Sequence, residues 1–262
     1  MNEQSLDPKQ AASARQFERQ SDRYGKSHIL ANTEDVELAM KGIAAPPGGT
    51  ALDVATGFGH AALWLARHGW KVTAGDIAPR MVKNAAKLCA EAGVTVETRL
   101  FAAEKMPFLP ASFDLVTARV APHHFSSPER FLAEVVRVLK PAGHFLLIDN
   151  SVPDDDPRTE EWLHHVEKLR DPSHGRYHSR KAWETLVRAA GLTVERSELQ
   201  PLKQPDLQWY FDTAATPPGN REQVLAAVGG AHKRVRHALR IRNEAGKIVW
   251  WWPRLTLLAK KP

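Results

Sequence analysis

Two aspartates and two glycines mark where this chain could hold a nucleoside. Leu52-Asp53-Val54-Ala55-Thr56-Gly57-Phe58-Gly59 is an acid-bearing apolar strand that runs into a glycine turn and a helix, and Asp76 follows seventeen residues beyond Gly59. In an open α/β sheet the first strand-to-helix turn lies at the carboxyl end of the strand, where glycines let the backbone approach a ligand closely. Asp76 ends the next apolar stretch, from Trp70 to Gly75, and an acid there can accept from both ribose hydroxyls. Gly57-Phe58-Gly59-His60-Ala61-Ala62 also satisfies the dinucleotide fingerprint, so the glycines alone do not separate NAD from S-adenosylmethionine. Asp53 does: an acid just before the loop suits the cationic methionine end of S-adenosylmethionine and would repel a pyrophosphate. The competing reading is a glycine turn with no ligand.

Elements of an α/β sheet must position these groups. Strands are expected near 50–55, 71–76, 94–100, 113–118 and 143–149, with helices between them near 59–68, 79–92 and 128–139. That alternation demands a parallel sheet with helices on both faces. Ahead of it, helices are expected from Pro8 to Arg23 and from Asp35 to Ile43, with 45–49 as the turn into the first strand. After Asn150, Pro153-Asp154-Asp155-Asp156-Pro157 opens a helix near 158–169 with its acids at the favourable end. A helix from Arg180 to Ala190 leads to a strand at 192–195, and a single helix is expected from Arg221 to Arg242. The last strand runs near Lys247 to Leu258.

The segments after Asp76 then follow at telling intervals: Phe101-Ala102-Ala103-Glu104-Lys105-Met106-Pro107-Phe108, Ser112-Phe113-Asp114-Leu115-Val116, and Phe131 to Lys140 with Pro141-Ala142-Gly143-His144-Phe145-Leu146-Leu147-Ile148. With the Asp53–Gly59 turn, they resemble the class I S-adenosylmethionine-dependent methyltransferases. The chain looks most like the small-molecule type grouped with the ubiquinone/menaquinone C-methyltransferases, and Arg119 to Phe125 and Leu169 to His174 are similar to one bacterial branch. The resemblance is strong over about residues 45–150. It implies a doubly wound, mostly parallel seven-stranded Rossmann-like sheet, with the last strand pairing as an antiparallel hairpin edge. Residues 1–44 would form a helical cap, 45–150 the cofactor-binding core, and 151–262 lid helices and strands completing the same domain.

By the same resemblance, Asp53, Ala55, Gly57 and Gly59 surround the methionine part, Asp76 holds the ribose and Ile77 packs on the adenine. Ala103 offers its amide to the adenine edge with Glu104 alongside, Arg119 lines the floor near the methyl, and Tyr24, at the end of the first helix, either shields the methionine moiety or packs that helix on the domain. Two positions depart from the pattern. Ala55 stands where a glycine is common, a small change, and Ala102 where an acid often accepts from the adenine amino group; that lost bond would cost on the order of 1 kcal/mol.

Displacement at a sulfonium methyl needs an aligned nucleophile and, for carbon or oxygen acceptors, a base. His123 and His124 follow the fourth strand, where relatives place groups facing the acceptor, and a free imidazole, titrating near about 6.5, can take a phenolic or enolic proton at neutral pH. His123 is the first choice for that base. The alternative has one histidine packed under the loop and the other solvated. His174, in Asp171-Pro172-Ser173-His174, belongs to a loop expected to overhang the pocket and is a further catalytic candidate, against the reading of a solvated loop histidine. The adjacent His164 and His165 cannot both face one metal from a helix, and no metal site is assigned.

Composition fits one cytoplasmic enzyme. With 262 residues, 43% of them hydrophobic, the chain can bury a full core. It opens without an apolar secretory segment and holds no run long enough to span a membrane. The single Cys89 excludes an internal disulfide and a cysteine metal cluster, and reads as a packed residue. The net charge of +6 is concentrated at the C-terminal end, where nine Lys and Arg between 231 and 262 face only Glu244. On the expected 221–242 helix, Val224, Val228, Val235 and Leu239 share a face while Lys233, Arg234, Arg236 and Arg240 point elsewhere, as on a solvated surface. RNA binding, or attraction to an anionic membrane, is the functional alternative. Trp250 and Trp252 share a strand face and read as core, or as stacking groups. The leading reading is methyl transfer from S-adenosylmethionine to a small aromatic or quinone-like acceptor. RNA methylation and a non-catalytic S-adenosylmethionine-binding protein are the alternatives.

Overall fold

Alternating residues of the first strands send their side chains to opposite layers, and this sets the architecture. The computed structural model describes residues 6–24 and 28–262, apart from the side chains of residues 22–28. β1 (Thr50–Val54), β2 (Lys71–Asp76), β3 (Glu97–Leu100), β4 (Phe113–Arg119) and β5 (Leu139–Asn150) pair in parallel in the order β3-β2-β1-β4-β5. β9 (Trp251–Lys260) then runs antiparallel to β5 and to β6 (Thr193–Lys203), which forms the far edge. The seven-stranded doubly wound sheet expected above is therefore present. Strand order reverses between β1 and β4, where the carboxyl ends open a crevice for ligands.

Leu52, Val116 and Leu147 face one layer, with Phe131 and Val135 of α6 (Pro128–Val138) and Trp183 of α8 (Arg180–Ala189). Ala51, Leu115 and Leu146 face the other, with Leu65 of α4 (His60–Arg67) and Val36 of α3 (Glu34–Ala39). The period of two along each strand decides which side chain reaches which layer. α5 (Pro79–Glu91) buries Cys89 as packing. Ser127, capping α6, accepts from Arg130 N at 3.2 Å, and Ser179, capping α8, from Ala182 N at the same distance; such caps satisfy amides that a helix start leaves open.

A third core lies beyond the sheet. Val166 of α7 (Pro157–Arg170), Tyr210 of α9 (Leu207–Ala214), Val224 of α10 (Pro218–Gly229) and Val235 of α11 (Lys233–Ala238) pack around Trp250 and Trp252. Both tryptophans are thus core groups on one face. α1 (Pro8–Tyr24) and the short α2 (His28–Ala31) close over the carboxyl ends of the strands.

Four element expectations are corrected. The helix expected over 221–242 is two helices, α10 and α11, broken where Gly229-Gly230 lowers helix propensity. The last strand divides at Trp250: its first residues form β8 (Lys247–Val249), which pairs with β7 (Arg242–Glu244) across a turn where Ala245 and Gly246 have φ of 49° and 83°, and only the rest belongs to β9. α9 was not foreseen. The third strand starts at Glu97 rather than Val94. Lys233, Arg234, Arg236 and Arg240 are exposed, and Arg234 pairs with Asp156 at 2.9 Å. No helix among the described residues is long and apolar enough to cross a membrane.

Candidate active site

β1 ends on Asp53, which is buried and bound by two hydroxyls: Thr56 Oγ1 donates to its Oδ2 at 2.5 Å and Thr117 Oγ1 to its Oδ1 at 2.7 Å. Burial raises its pKa above the ordinary carboxylate value. The chain then turns through three left-handed residues, Ala55, Gly57 and Gly59, with φ of 52°, 55° and 92°. Alanine at 55 therefore carries a backbone strain that glycine would not, so the departure is larger than the sequence suggests. A Cβ on Gly59 would meet the Cα of Ala85 at 2.8 Å, whereas one on Gly57 would meet nothing within 4 Å. Gly59 is required by the close approach of α4 to α5, and Gly57 faces the open cleft.

Asp76, at the end of β2, accepts from Gly57 N and Ala78 N, both at 2.9 Å. Burial pushes its pKa up to about 6. Each oxygen keeps a lone pair beyond its backbone bond. Asp53, Ala55, Gly57, Asp76, Ile77, Ala103, Glu104 and Arg119 all line one cleft of about 1020 Å³, its open mouth included. Gly59 sits behind it as the α4 N-cap. Ala102 is buried and bridges Lys105, outside the lining. The residues present suit S-adenosylmethionine: two acids for its cationic and ribose ends, and a glycine turn for close approach.

Two expected contacts have other engagements. Arg119 Nε donates to both oxygens of Asp35 at 3.0 and 2.9 Å, and its Nη atoms donate to the carbonyls of Leu30 and Asn32 at 2.9 and 2.6 Å. Its guanidinium thus ties the α2–α3 segment over the cleft. Glu104 accepts from Ser126 N at 2.6 Å and from Gln10 Nε2 at 2.8 Å, joining α1 to the loop before α6. The expected shield Tyr24 has its side chain outside the described residues.

Val120, a β-branched residue with φ of 56°, carries the chain from β4 into a 3-10 turn at Pro122–His124. Positive φ is uncommon for such a residue and collects at functional sites. The turn delivers His123 and His124 to a second chamber, about 580 Å³ with its open mouth included, that shares Phe17, Leu30, Val120 and His124 with the cleft. His123 is held by Asp149 at the end of β5: the backbone N donates to Oδ2 at 2.9 Å and Nδ1 to Oδ1 at 2.7 Å. A carboxylate on Nδ1 fixes the neutral ring with its lone pair on Nε2.

The expectation of one packed and one solvated histidine is corrected, because both are buried. His124 Nδ1 donates to the Ser173 carbonyl at 3.3 Å, and burial with the neighbouring His123 pushes its pKa down to about 3. The solvated reading of His174 is corrected too. It is buried beside Tyr177, with ring centres 4.7 Å apart, and burial holds it neutral far below its ordinary pKa. The α7–α8 loop folds inward there because Asp171 accepts from Ser173 N and Oγ at 2.8 and 2.7 Å.

Sequence reasoning missed Asp149, Tyr177, Glu167 and Arg254, which line or flank this chamber with Trp209 and Trp252. A usable signal existed only for Asp149, an acid at a strand end like Asp53 and Asp76.

Comparison with known proteins gives the same answer. A family model described as a methyltransferase domain matches residues 52–147. The uncharacterized methyltransferase YcgJ of Bacillus subtilis is 32% identical over 237 residues, covering 89% of this chain and 92% of that protein. A crystal structure of a putative methyltransferase from Bacillus halodurans superposes with a TM-score of 0.82 at 29% identity, over 87% of this chain and 99% of that one. The 2-methyl-6-phytyl-1,4-hydroquinone methyltransferase of Synechocystis is 31% identical over 64% of this chain and 54% of its own. With two acids and a glycine turn at the switch point of the sheet and a relative matched along nearly its whole length, the chain belongs to the class I S-adenosylmethionine-dependent methyltransferases.

Proposed function

We propose that the acceptor of this methyltransferase is a small aromatic or quinone-like molecule seated in the second chamber, with His123 as its base. The observation that carries this reading is the His123–Asp149 pair in a chamber that shares a wall with the cofactor cleft. Trp209, Trp252 and Tyr177 give the chamber flat apolar surfaces. The hydroquinone methyltransferase relative supports the same acceptor class.

The chemistry divides simply. S-adenosylmethionine supplies an activated methyl group when bound. Asp53 receives the cationic methionine end across the turn of Ala55, Gly57 and Gly59; Asp76 accepts from the ribose; Ile77 and Ala103 flank the adenine. Glu104 and Arg119 hold the covering segments in place. His123 Nε2 takes the proton from an acceptor hydroxyl or carbon while Asp149 steadies the imidazolium that forms. His124 and His174, held neutral by burial, orient and enclose the acceptor rather than accept its proton.

Transfer of radiolabelled methyl to a panel of phenols and hydroquinones is the test, with bulk tRNA as comparison. Turnover of a small aromatic that collapses in His123→Gln supports the proposal. Labelling of tRNA alone, or an unchanged rate in His123→Gln with the true acceptor, contradicts it.

A further inference from the structure

Arg254 enters the acceptor chamber from β9, paired in register with Asn150 of β5. It is buried, with 6% of its surface exposed. Its Nε has no hydrogen-bond partner among the described residues. Its nearest acid is Asp35, 3.6 Å from Nη1, and both oxygens of Asp35 already receive Arg119 Nε. One carboxylate is therefore shared by two guanidinium groups.

The other acids of the chamber are committed elsewhere. Asp149 holds His123 and Asn150 N. Glu167 receives Tyr210 OH at 2.9 Å, Trp252 Nε1 at 3.1 Å and Arg170 Nη1 at 3.2 Å. Asp171 receives Ser173. Beside Arg254, Asn150 gives its Nδ2 to Tyr177 OH at 3.3 Å while its Oδ1 has no partner. A buried cation without full neutralisation is unfavourable, and guanidinium is shaped to receive a planar pair of oxygens.

We propose that the chamber takes an acceptor bearing a carboxylate, received by Arg254, with Asn150 accepting from a hydroxyl or N–H of the same molecule. This rests on the chamber being the acceptor's seat. The acid end would anchor the ligand at β9, leaving its other end toward His123 and the wall shared with the cofactor cleft.

Benzoate and its neutral isostere benzamide test this by calorimetry, each with and without saturating S-adenosylhomocysteine. Wild type should bind benzoate about tenfold or more tightly than benzamide, as a charge-assisted contact requires, and Arg254→Gln should lose that preference while Arg254→Lys keeps part of it. Equal binding of the two probes, no binding of benzoate, or an undiminished preference in Arg254→Gln overturns the proposal. Should Arg254→Gln not fold, the wild-type preference and its partial retention in Arg254→Lys decide. Benzoate that depends on Arg254 yet neither responds to S-adenosylhomocysteine nor competes with a methyl acceptor would uphold the carboxylate site and refute the acceptor reading alone.

Discussion

Nδ1 of His123 lies 2.7 Å from Oδ1 of Asp149, and both groups are buried, one in the turn after β4 and the other at the end of β5. The second oxygen of Asp149 receives the backbone N of His123 at 2.9 Å, so one carboxylate fixes the position of the residue and the tautomer of its ring. Asp149→Asn should leave cofactor binding intact and lower kcat by about 100-fold or more, the scale of a lost general base. His123→Gln should do the same, and the double variant should be hardly worse than either, because the two act as one unit. Additive losses in kcat across this cycle would separate the two residues.

Cofactor affinity should depend on Asp76. Its pKa is raised by burial to about 6, so between the ordinary carboxylate range and pH 6 the folded protein holds a proton that the unfolded chain has released. Stability of the free protein from this group accordingly falls as pH rises through that window. Binding runs the other way, since the ionised carboxylate is the form that accepts from ribose. Affinity for S-adenosylhomocysteine should therefore weaken as pH drops below 6 and level off above it. Asp76→Asn should bind more weakly and with a flatter profile; an equally steep profile in that variant would assign the pH dependence to another group.

Gly57 and Gly59 share a left-handed backbone but differ in what a methyl group would strike. Gly59→Ala drives a Cβ into the Ala85 backbone of α5, and thermal unfolding should show a loss of about 2 kcal/mol or more. Gly57→Ala meets no protein atom and should lose only about 1 kcal/mol of stability from strain, while its methyl projects toward the cofactor and weakens binding. Calorimetry and melting curves on the two variants should rank them in opposite orders.

Ala55 offers a stabilising change. Its φ of 52° is one that alanine adopts at a cost and glycine freely. Ala55→Gly should raise stability by about 0.5–1 kcal/mol, strain relief exceeding the added freedom of the unfolded chain. That corresponds to roughly 2 °C in melting temperature for a chain of this size. A lower melting temperature would mean that the Ala55 methyl contributes more as packing against the core than its backbone strain removes.

The cleft half of this site was legible because its parts are local. Asp53, Gly57 and Gly59 lie within one strand-turn-helix, and Asp76 ends the next strand, so periodicity and turn chemistry place them without knowledge of the fold. The same local signals marked the strands and most helices. They would also have marked α9, where Asp206 accepts from Trp209 N at 2.8 Å as a helix cap. What the sequence could not disclose is which distant residues meet. His123 reaches Asp149 only because β4 and β5 are neighbours in the sheet. Arg254 stands beside Asn150 through the antiparallel register of β9, and Glu167 faces Trp252 because α7 packs on a core built from the C-terminal helices. Local propensity has no term for such pairings. They are set by register and by the burial of a third core, so tertiary structure alone turned histidines that read as loop residues into an enclosed cluster beside the cleft.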